Sequence, residues 1–508
     1  MTANANLFAA LRGAFPADLD TIAIDTADDA PLAYRWSDLD RATARIANLL
    51  ASLDLPAGSR VAAHVEKSVE ALMLYLAVLR AGLVYLPLNP AYQAGEMTHF
   101  LGDAEPAVVV CTGANFGWVS KLAFTMGCSH VFTLNSDRTG SLLERASFHA
   151  DDHEPAQRSA GDLAVILYTS GTTGRSKGAM LTHGNMLSNA RTLKALWGWR
   201  PGDVLVHALP IFHIHGLFVA CHGALLNGSR MILLDRFDPA HVLAHLPEAT
   251  VFMGVPTMYV RLLGEPGLTP EVCRSMRLFV SGSAPLLPET FHAWQQRTGH
   301  TILERYGMSE TVMLTSNPYD PADGERRAGT VGRPLPGVDL RIASPDPDSG
   351  NGGIEVRGPN VFAGYWRLPE KTKEEFTADG WFRTGDVGHI DADGYVHIVG
   401  RAKDLVISGG FNVYPAEVEA VLDELPGVQE SAVVGVPHPD FGEAVVAVVV
   451  PRMGAELDGQ TLIAAVKSRL ANFKVPKEII VVPDLPRNAM GKVQKKTLRD
   501  QLQGLFGA

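Results

Sequence analysis

The chain has 508 residues, more than a single hydrophobic core usually organises, so at least two domains are expected. With 46% hydrophobic and 19% charged residues, 49 glycines and 32 prolines, the composition points to a water-soluble, loop-rich enzyme rather than a helical bundle. The net charge of −11 argues against an extended nucleic-acid surface, which needs clustered Lys and Arg, but leaves room for a small phosphate-bearing ligand held by a few cations.

Four cysteines (Cys111, Cys128, Cys221, Cys273) show no paired spacing. That argues against a disulfide framework or a zinc site and suits a reducing cytoplasm. Residues 1–16 lack the basic flank of a secretory signal. The most apolar span, 71–88, is broken by Arg80 and Pro87 and reads as a buried helix running into a strand, not as a membrane crossing.

In chain order, residues 39–53 carry apolar side chains at helical spacing, 61–64 form a short strand, and 68–81 are helical again. Residues 84–88 and 107–111 read as buried strands, and the alternation recurs with strands at 163–168, 204–209, 231–234, 251–253 and 278–280. Repeated strand–helix units favour parallel sheets covered by helices. After about Gly332 the strands (353–357, 395–399) become short, with Asp379-Gly380 and Asp393-Gly394 turns of the hairpin kind. A compact α+β segment follows: helix 415–422, strands 430–436 and 444–450, helix 461–470, then a basic stretch with Lys492, Lys495 and Lys496. The junction Gly400-Arg401-Ala402-Lys403-Asp404 divides the expected domains, 1–402 and 403–508.

The densest chemistry lies in Tyr168-Thr169-Ser170-Gly171-Thr172-Thr173-Gly174-Arg175-Ser176-Lys177-Gly178. Glycines let backbone N–H groups converge on an anion, hydroxyls donate further bonds, and Lys177 adds charge, which is the chemistry of polyphosphate binding. The spacing is not that of a Walker A loop.

This loop resembles the phosphate loop of the adenylate-forming superfamily of acyl-CoA synthetases, firefly-luciferase-like enzymes and nonribosomal-peptide adenylation domains. Further signatures of that family stand in order: Pro210-Ile211-Phe212-His213, Ser281-Gly282-Ser283-Ala284-Pro285, Tyr306-Gly307-Met308-Ser309-Glu310, Tyr365-Trp366, Arg383-Thr384-Gly385-Asp386, the Gly400–Asp404 junction, and Asn488-Ala489-Met490-Gly491-Lys492. The resemblance implies an α/β fold: a large N-terminal domain of stacked mixed αβαβα sheets with a small β-barrel-like part, and a small mobile α+β C-terminal domain. It implies ATP, Mg²⁺ and coenzyme A as reaction partners, with no nucleic acid and no membrane.

Residue by residue, the resemblance puts Thr169 to Gly174 and Lys177 on the phosphates, and Glu310 on Mg²⁺, a hard cation that wants oxygen ligands. Ser309 stands where the family more often has Thr. Tyr306, facing Ser283-Ala284-Pro285, is the adenine slot by the same analogy. Glu304, Arg305 and Gly307 join it on the nucleotide. Asp386 is matched to the ribose hydroxyls and Arg401 to the position beside them. Lys492 falls on the catalytic lysine of adenylation, where a cation lets a carboxylate meet the α-phosphate; His213 and Glu310 complete the catalytic set. Lys403 matches the hinge, and Ser408-Gly409-Gly410 the wall of the coenzyme A tunnel. Lys495 and Lys496 read as solvated charges.

For the acid itself, His213-Ile214-His215-Gly216 sets two imidazoles beside the expected acyl channel. Arg261 resembles a position on the helix that lines that channel. A fatty or aryl acid wants apolar walls, so a buried Arg there would call for a second carboxylate; on residue type alone Arg261 reads as a helix-surface charge, paired or solvated. The stretches around Phe212-His213, Arg305-Tyr306, Asn317-Pro318 and Tyr365-Trp366 resemble malonyl-CoA synthetases, which implies malonate, with methylmalonate second. Ile214 stands where that subgroup commonly has Thr, and Met308, like Ser283, lies beside the expected acyl group. The alternatives are a medium-chain or aryl acid–CoA ligase and a stand-alone module that loads a carrier protein.

Overall fold

A computed structural model describes residues 4–27, 31–169, 176–347, 349–408, 411–488 and 491–507. Its contacts gather into two units, Met1–Asp339 with Arg357–Gly380, and Leu340–Val356 with Trp381–Ala508. The Gly400–Asp404 junction lies inside the second.

Among the described residues the first unit carries two sheets. One has six strands in the order His130–Thr133, Val108–Cys111, Arg60–His64, Val84–Pro87, Leu163–Thr169 and Lys177–Thr182. All neighbours run parallel except the last pair. Val108–Cys111 and Val84–Pro87 are buried along their whole length, as strands covered on both faces must be. The other sheet has nine strands, and its inner ones (Ile302–Tyr306, Leu278–Ser281, Val251–Gly254, Val204–His207, Arg230–Leu233, Ile22–Thr26) are parallel. Short antiparallel strands close both edges.

The helix Val69–Arg80 has 12 residues, every one buried. A helix apolar all round belongs inside a protein, here in the middle of the αβαβα stack. Its two charged side chains are both partnered: Glu70 accepts the Tyr34 hydroxyl at 2.6 Å, and Arg80 donates to the Asp40 carboxylate at 2.8 Å and the Asp40 carbonyl at 2.7 Å. The apolar span read at 71–88 is thus a helix and then the strand Val84–Pro87. Among the described residues no helix is long and apolar enough to cross a membrane.

In the second unit, Asp339–Ala343, Gly352–Arg357, Phe382–Ile390 and Val396–Arg401 form a four-stranded sheet. Asp393-Gly394 turns the hairpin between the last two strands as expected, whereas Asp379-Gly380 only follows the helix Pro369–Glu375. A five-stranded sheet is built on the long hairpin of Val428–His438 and Gly442–Pro451. Strand alternation sends Val433, Val445, Ala447 and Val449 against the helix Pro415–Asp423, and Val434, Val446 and Val448 against Leu485 and Leu498.

Candidate functional site

The hydroxyl- and glycine-rich loop joins two antiparallel strands, Leu163–Thr169 and Lys177–Thr182, whose register sets Thr169 opposite Lys177. Ser170, Gly171, Thr172, Thr173 and Gly174 lie outside the described residues. The base of the loop is braced. The Tyr168 hydroxyl donates to Asp103 and its ring packs on Phe100, centroids 4.7 Å apart. A Cβ on Gly178 would come within 2.7 Å of Ile166, so that strand sits against its neighbour with no room for a side chain.

From this base a chain of contacts runs to Glu310. The Lys177 ammonium lies 4.3 Å from the centroid of the Tyr365 ring and 3.8 Å from Glu375. The Tyr365 hydroxyl donates to Glu310 Oε1 at 2.9 Å. Both Tyr365 and Glu310 are buried. Burial, reinforced by the Glu310 charge, raises the Tyr365 phenol well above its ordinary range, so it stays a donor at any physiological pH. The Glu310 carbonyl in turn accepts the Phe362 N–H at 2.8 Å. Tyr365-Trp366 stood out in the sequence without a role, and Glu375 was missed because a Glu on a charged helix carries no signal of its own.

A second group gathers beyond Pro210. The segment His215–Cys221 is a π-helix with every residue buried. Such wide turns are uncommon and often re-aim a functional side chain. Gly216 makes this one possible, because a Cβ there would stand 2.1 Å from the Pro210 carbonyl oxygen. His215 is 0% exposed; its Nδ1 lies 3.4 Å from Ser283 Oγ, and its Nε2 has no partner among the described residues. Burial above all, with the charges of Arg305 and His213 adding to it, drives the His215 imidazole well below its ordinary pKa, so it is neutral. Ser283 holds the left-handed conformation, φ +73°, that a non-glycine residue adopts only under constraint. His213 is half-buried, and its Nδ1 accepts the His215 N–H at 3.4 Å.

Arg305 and Glu304 leave opposite faces of the strand Ile302–Tyr306, and both are buried. Glu304 Oε1 accepts the Leu286 N–H at 2.9 Å. Burial pushes the Glu304 carboxyl up to about 8, so it is mostly protonated at neutral pH. Arg305 reaches Gly282, where a Cβ would lie 2.2 Å from its Nη1. Tyr306, Met308 and Ser309 are half-buried, and Gly307 has no space for a side chain, the Val312 carbonyl being 1.9 Å from where a Cβ would sit. Across from them Ala284 is half-buried and Pro285 exposed. The structure thus brings His215, Ser283 and Arg305 together. Arg261 is exposed on the helix Pro256–Leu263, its guanidinium 5.0 Å above the Phe237 ring.

The second unit assembles its own charged group. Asp386 and Arg401 are register partners on adjacent strands, and their side chains meet at 2.9 Å, with Asp386 buried. Arg499 donates to Asp404 at 2.9 Å and to the Lys403 carbonyl at 3.3 Å, fastening the last helix, Lys495–Leu502, to the junction. Lys403 itself is exposed. Lys492 sits in a tight loop whose backbone is tied to Asn488: the Lys492 N–H donates to the Asn488 side chain at 3.0 Å, and the Lys492 carbonyl accepts the Asn488 N–H at 3.0 Å. Burial lowers the Lys492 ammonium to about 8; Arg401 and Lys403 depress it further, while Asp386 and Asp404 oppose them. The side chain keeps solvent access, so water screens part of this. Lys495, expected to be a free solvated charge, instead pairs with Glu419 at 2.6 Å. Ser408 is buried at the end of the strand Val406–Ser408, and Gly409 and Gly410 lie outside the described residues.

Comparison with known proteins supplies the context for these groups. The profile of the AMP-binding enzyme family matches residues 18–366, and that of the AMP-binding enzyme C-terminal domain matches 417–492. Among solved structures, ATP-bound MatB from Rhodopseudomonas palustris is 53% identical, covers 99% of this chain and 100% of its own, and superposes with a TM-score of 0.95. A malonate–CoA ligase of Arabidopsis thaliana is 36% identical over 88% of this chain and 78% of its own. A feruloyl-CoA synthase of an Amycolatopsis species is 37% identical over 92% of this chain and 94% of its own.

Proposed function

The chain belongs to the AMP-binding enzyme family, and we propose that within it the protein is an AMP-forming acid–CoA ligase acting on malonate, with methylmalonate as a second substrate. The observation that carries this reading is the 53% identity to MatB over the full length of both chains, joined by the likeness to a malonate–CoA ligase. In the first half-reaction a malonate carboxylate oxygen attacks the α-phosphorus of ATP, forming malonyl-adenylate and releasing pyrophosphate. In the second, the coenzyme A thiol attacks the acyl carbonyl, AMP leaves, and the thiol proton passes to solvent.

The residues divide this work by charge. Thr169 to Gly174 and Lys177 take the phosphates; Asp386 takes the ribose hydroxyls beside Arg401; Tyr306 and Ser283-Ala284-Pro285 take the base. Glu310 fits Mg²⁺, offering a buried carboxylate whose Oε1 is already oriented by Tyr365. Bound there, Mg²⁺ supplies charge neutralisation on the triphosphate. Lys492 provides the ammonium that lets two anions approach, needing no protein nucleophile. His213 lies along the acyl side, Lys403 is assigned the pivot between half-reactions, and Ser408-Gly409-Gly410 the coenzyme A passage. The division into domains 1–402 and 403–508 belongs to the same reading. A cytoplasmic setting agrees with four cysteines that are all free and buried.

The test is a panel of acids, malonate to octanoate with ferulate included, scored for CoA thioester, AMP and pyrophosphate. Ferulate belongs in it because the feruloyl-CoA synthase is as similar in sequence as the malonate–CoA ligase. Malonyl-CoA as the main product is expected. A preference for a monocarboxylic acid overturns the malonate assignment, and failure to release AMP with any acid overturns the ligase reading.

A further inference from the structure

The peptide that joins Gly491 to Lys492 is gripped at both ends. Its N–H donates to the Asn488 side chain at 3.0 Å, and its carbonyl oxygen, on Gly491, accepts Arg487 Nη1 at 2.7 Å. The Lys492 carbonyl accepts the Asn488 N–H at 3.0 Å, so the planar peptides on both sides of the Lys492 Cα are held, and with them the direction in which its side chain leaves. The base of the turn is closed by the backbone bridge of Arg487 with Val493 and by the Gln494 N–H on the Pro486 carbonyl at 2.7 Å. The other arm of the Arg487 fork, Nη2, pairs with the Glu430 carboxylate. Glu430 stands on the strand Val428–His438, on the face that carries Ala432, Val434 and Val436 and is covered by Leu485 and Leu498. An acid in line with three apolar residues on a packed face calls for a cation. The side chains of Arg487 and Glu430 are only 22% and 23% exposed, where salt and water screen a pair less than at the open surface.

We propose that Arg487, anchored on Glu430, is a positioning residue that aims the Lys492 ammonium at the reacting groups during adenylation. This deepens the ligase reading above and rests on its assignment of Lys492. Arg487 acts through the Gly491–Lys492 peptide and not on the substrate. A lysine carries its charge on a flexible stem, so placing the ammonium against two reacting anions demands a stationary backbone beneath it. The long hairpin of Val428–His438 and Gly442–Pro451 supplies the fixed point, and the guanidinium carries that rigidity to the loop. Its planar fork can hold a carboxylate with one arm and a carbonyl with the other, which the single point charge of a lysine at 487 does less well.

Arg487→Met cuts the link and keeps an unbranched side chain. It should lower kcat for malonate-dependent pyrophosphate release about 100-fold, the scale of an ångström of misplacement, with KM for ATP and for malonate unchanged. Thioester formation from supplied malonyl-adenylate and coenzyme A, which does not use Lys492, should stay at the wild-type rate and so report that the variant is folded. Arg487→Lys should recover part of the lost kcat. Glu430→Gln should lower kcat about tenfold. The double variant Arg487→Met/Glu430→Gln should be no slower than Arg487→Met alone, because Glu430 acts only through Arg487. Equal losses in both half-reactions, a rise in KM for ATP in place of the fall in kcat, or additive losses in the double variant overturn the proposal. An Arg487→Met enzyme with wild-type kcat overturns it alone where Lys492→Ala is inactive in pyrophosphate release. A Lys492→Ala enzyme that still releases pyrophosphate at the wild-type rate overturns the assignment of Lys492 and this proposal together.

Discussion

The ammonium of Lys492 can be tested through its own titration. With a pKa of about 8, it is about nine-tenths protonated at pH 7 and about one-tenth at pH 9. If the charged form lets malonate approach the α-phosphate, kcat/KM for pyrophosphate release, which reports the free enzyme, should fall about tenfold between pH 7 and pH 9. Lys492→Arg keeps its charge across that range, so its rate, though lower, should be flat. Lys492→Ala should abolish pyrophosphate release while still converting supplied malonyl-adenylate and coenzyme A to thioester. Asp386 raises the ammonium pKa, so Asp386→Asn should move the alkaline limb to lower pH. Stability follows the same titration with a definite sign. A lysine whose folded pKa lies below its unfolded value burdens the folded state while protonated, and the burden lifts as pH climbs from about 8 toward 10.5. Lys492→Met should therefore raise Tm at pH 7 and do so less at pH 10, by an amount that solvent screening keeps small. A wild-type profile for pyrophosphate release that stays level from pH 7 to 9.5, or an identical limb in Lys492→Arg, refutes the assignment.

Two further substitutions probe the first unit. Tyr365→Phe removes the hydroxyl 2.9 Å from Glu310 Oε1 and should lower pyrophosphate release about tenfold, in line with a lost hydrogen bond to a buried charge. The Mg²⁺ concentration for half-maximal rate should rise, and Mn²⁺ binding to the enzyme–ATP complex, followed by electron paramagnetic resonance, should weaken; an unchanged metal dependence refutes the positioning role. Gly216→Ala puts a Cβ 2.1 Å from the Pro210 carbonyl oxygen, so the π-helical turn must open. Tm should fall by about 1–3 kcal/mol worth of stability, and KM for malonate should rise more than KM for ATP, because His215 moves with the turn; unchanged values for both refute the account of that turn.

The layers of this fold were legible because strand and helix periods in the sequence are clean. The helix expected at 68–81 is Val69–Arg80, and the strands expected at 430–436 and 444–450 are the cores of Val428–His438 and Gly442–Pro451. Periodicity left out several strands, Ile22–Thr26, His130–Thr133 and Ile302–Tyr306 among them, as well as the one after the glycine-rich loop, Lys177–Thr182. The short apolar run of Lys177–Thr182 is followed at once by the helix His183–Leu196, so nothing in it alternates for long enough to register. The π-helix His215–Cys221 was illegible for a different reason: its cause is a contact between Gly216 and Pro210 that exists only once the chain has folded.

The two arginines show where residue-type reasoning about a site stops and packing takes over. Arg261 drew attention by sitting on a helix of the expected acyl pocket, yet the helix has only one face to bury. Tyr259 and Leu262, three residues apart, define that face and are fully buried, which turns Arg261 outward over Phe237. That phase was readable in the sequence. Arg305 follows the opposite rule. On a strand, neighbours take opposite faces, so in an interior strand both Glu304 and Arg305 are buried whatever their charge. Burial that the fold imposes lowers the Arg305 guanidinium to about 9, with Tyr259 and Glu304 acting against it.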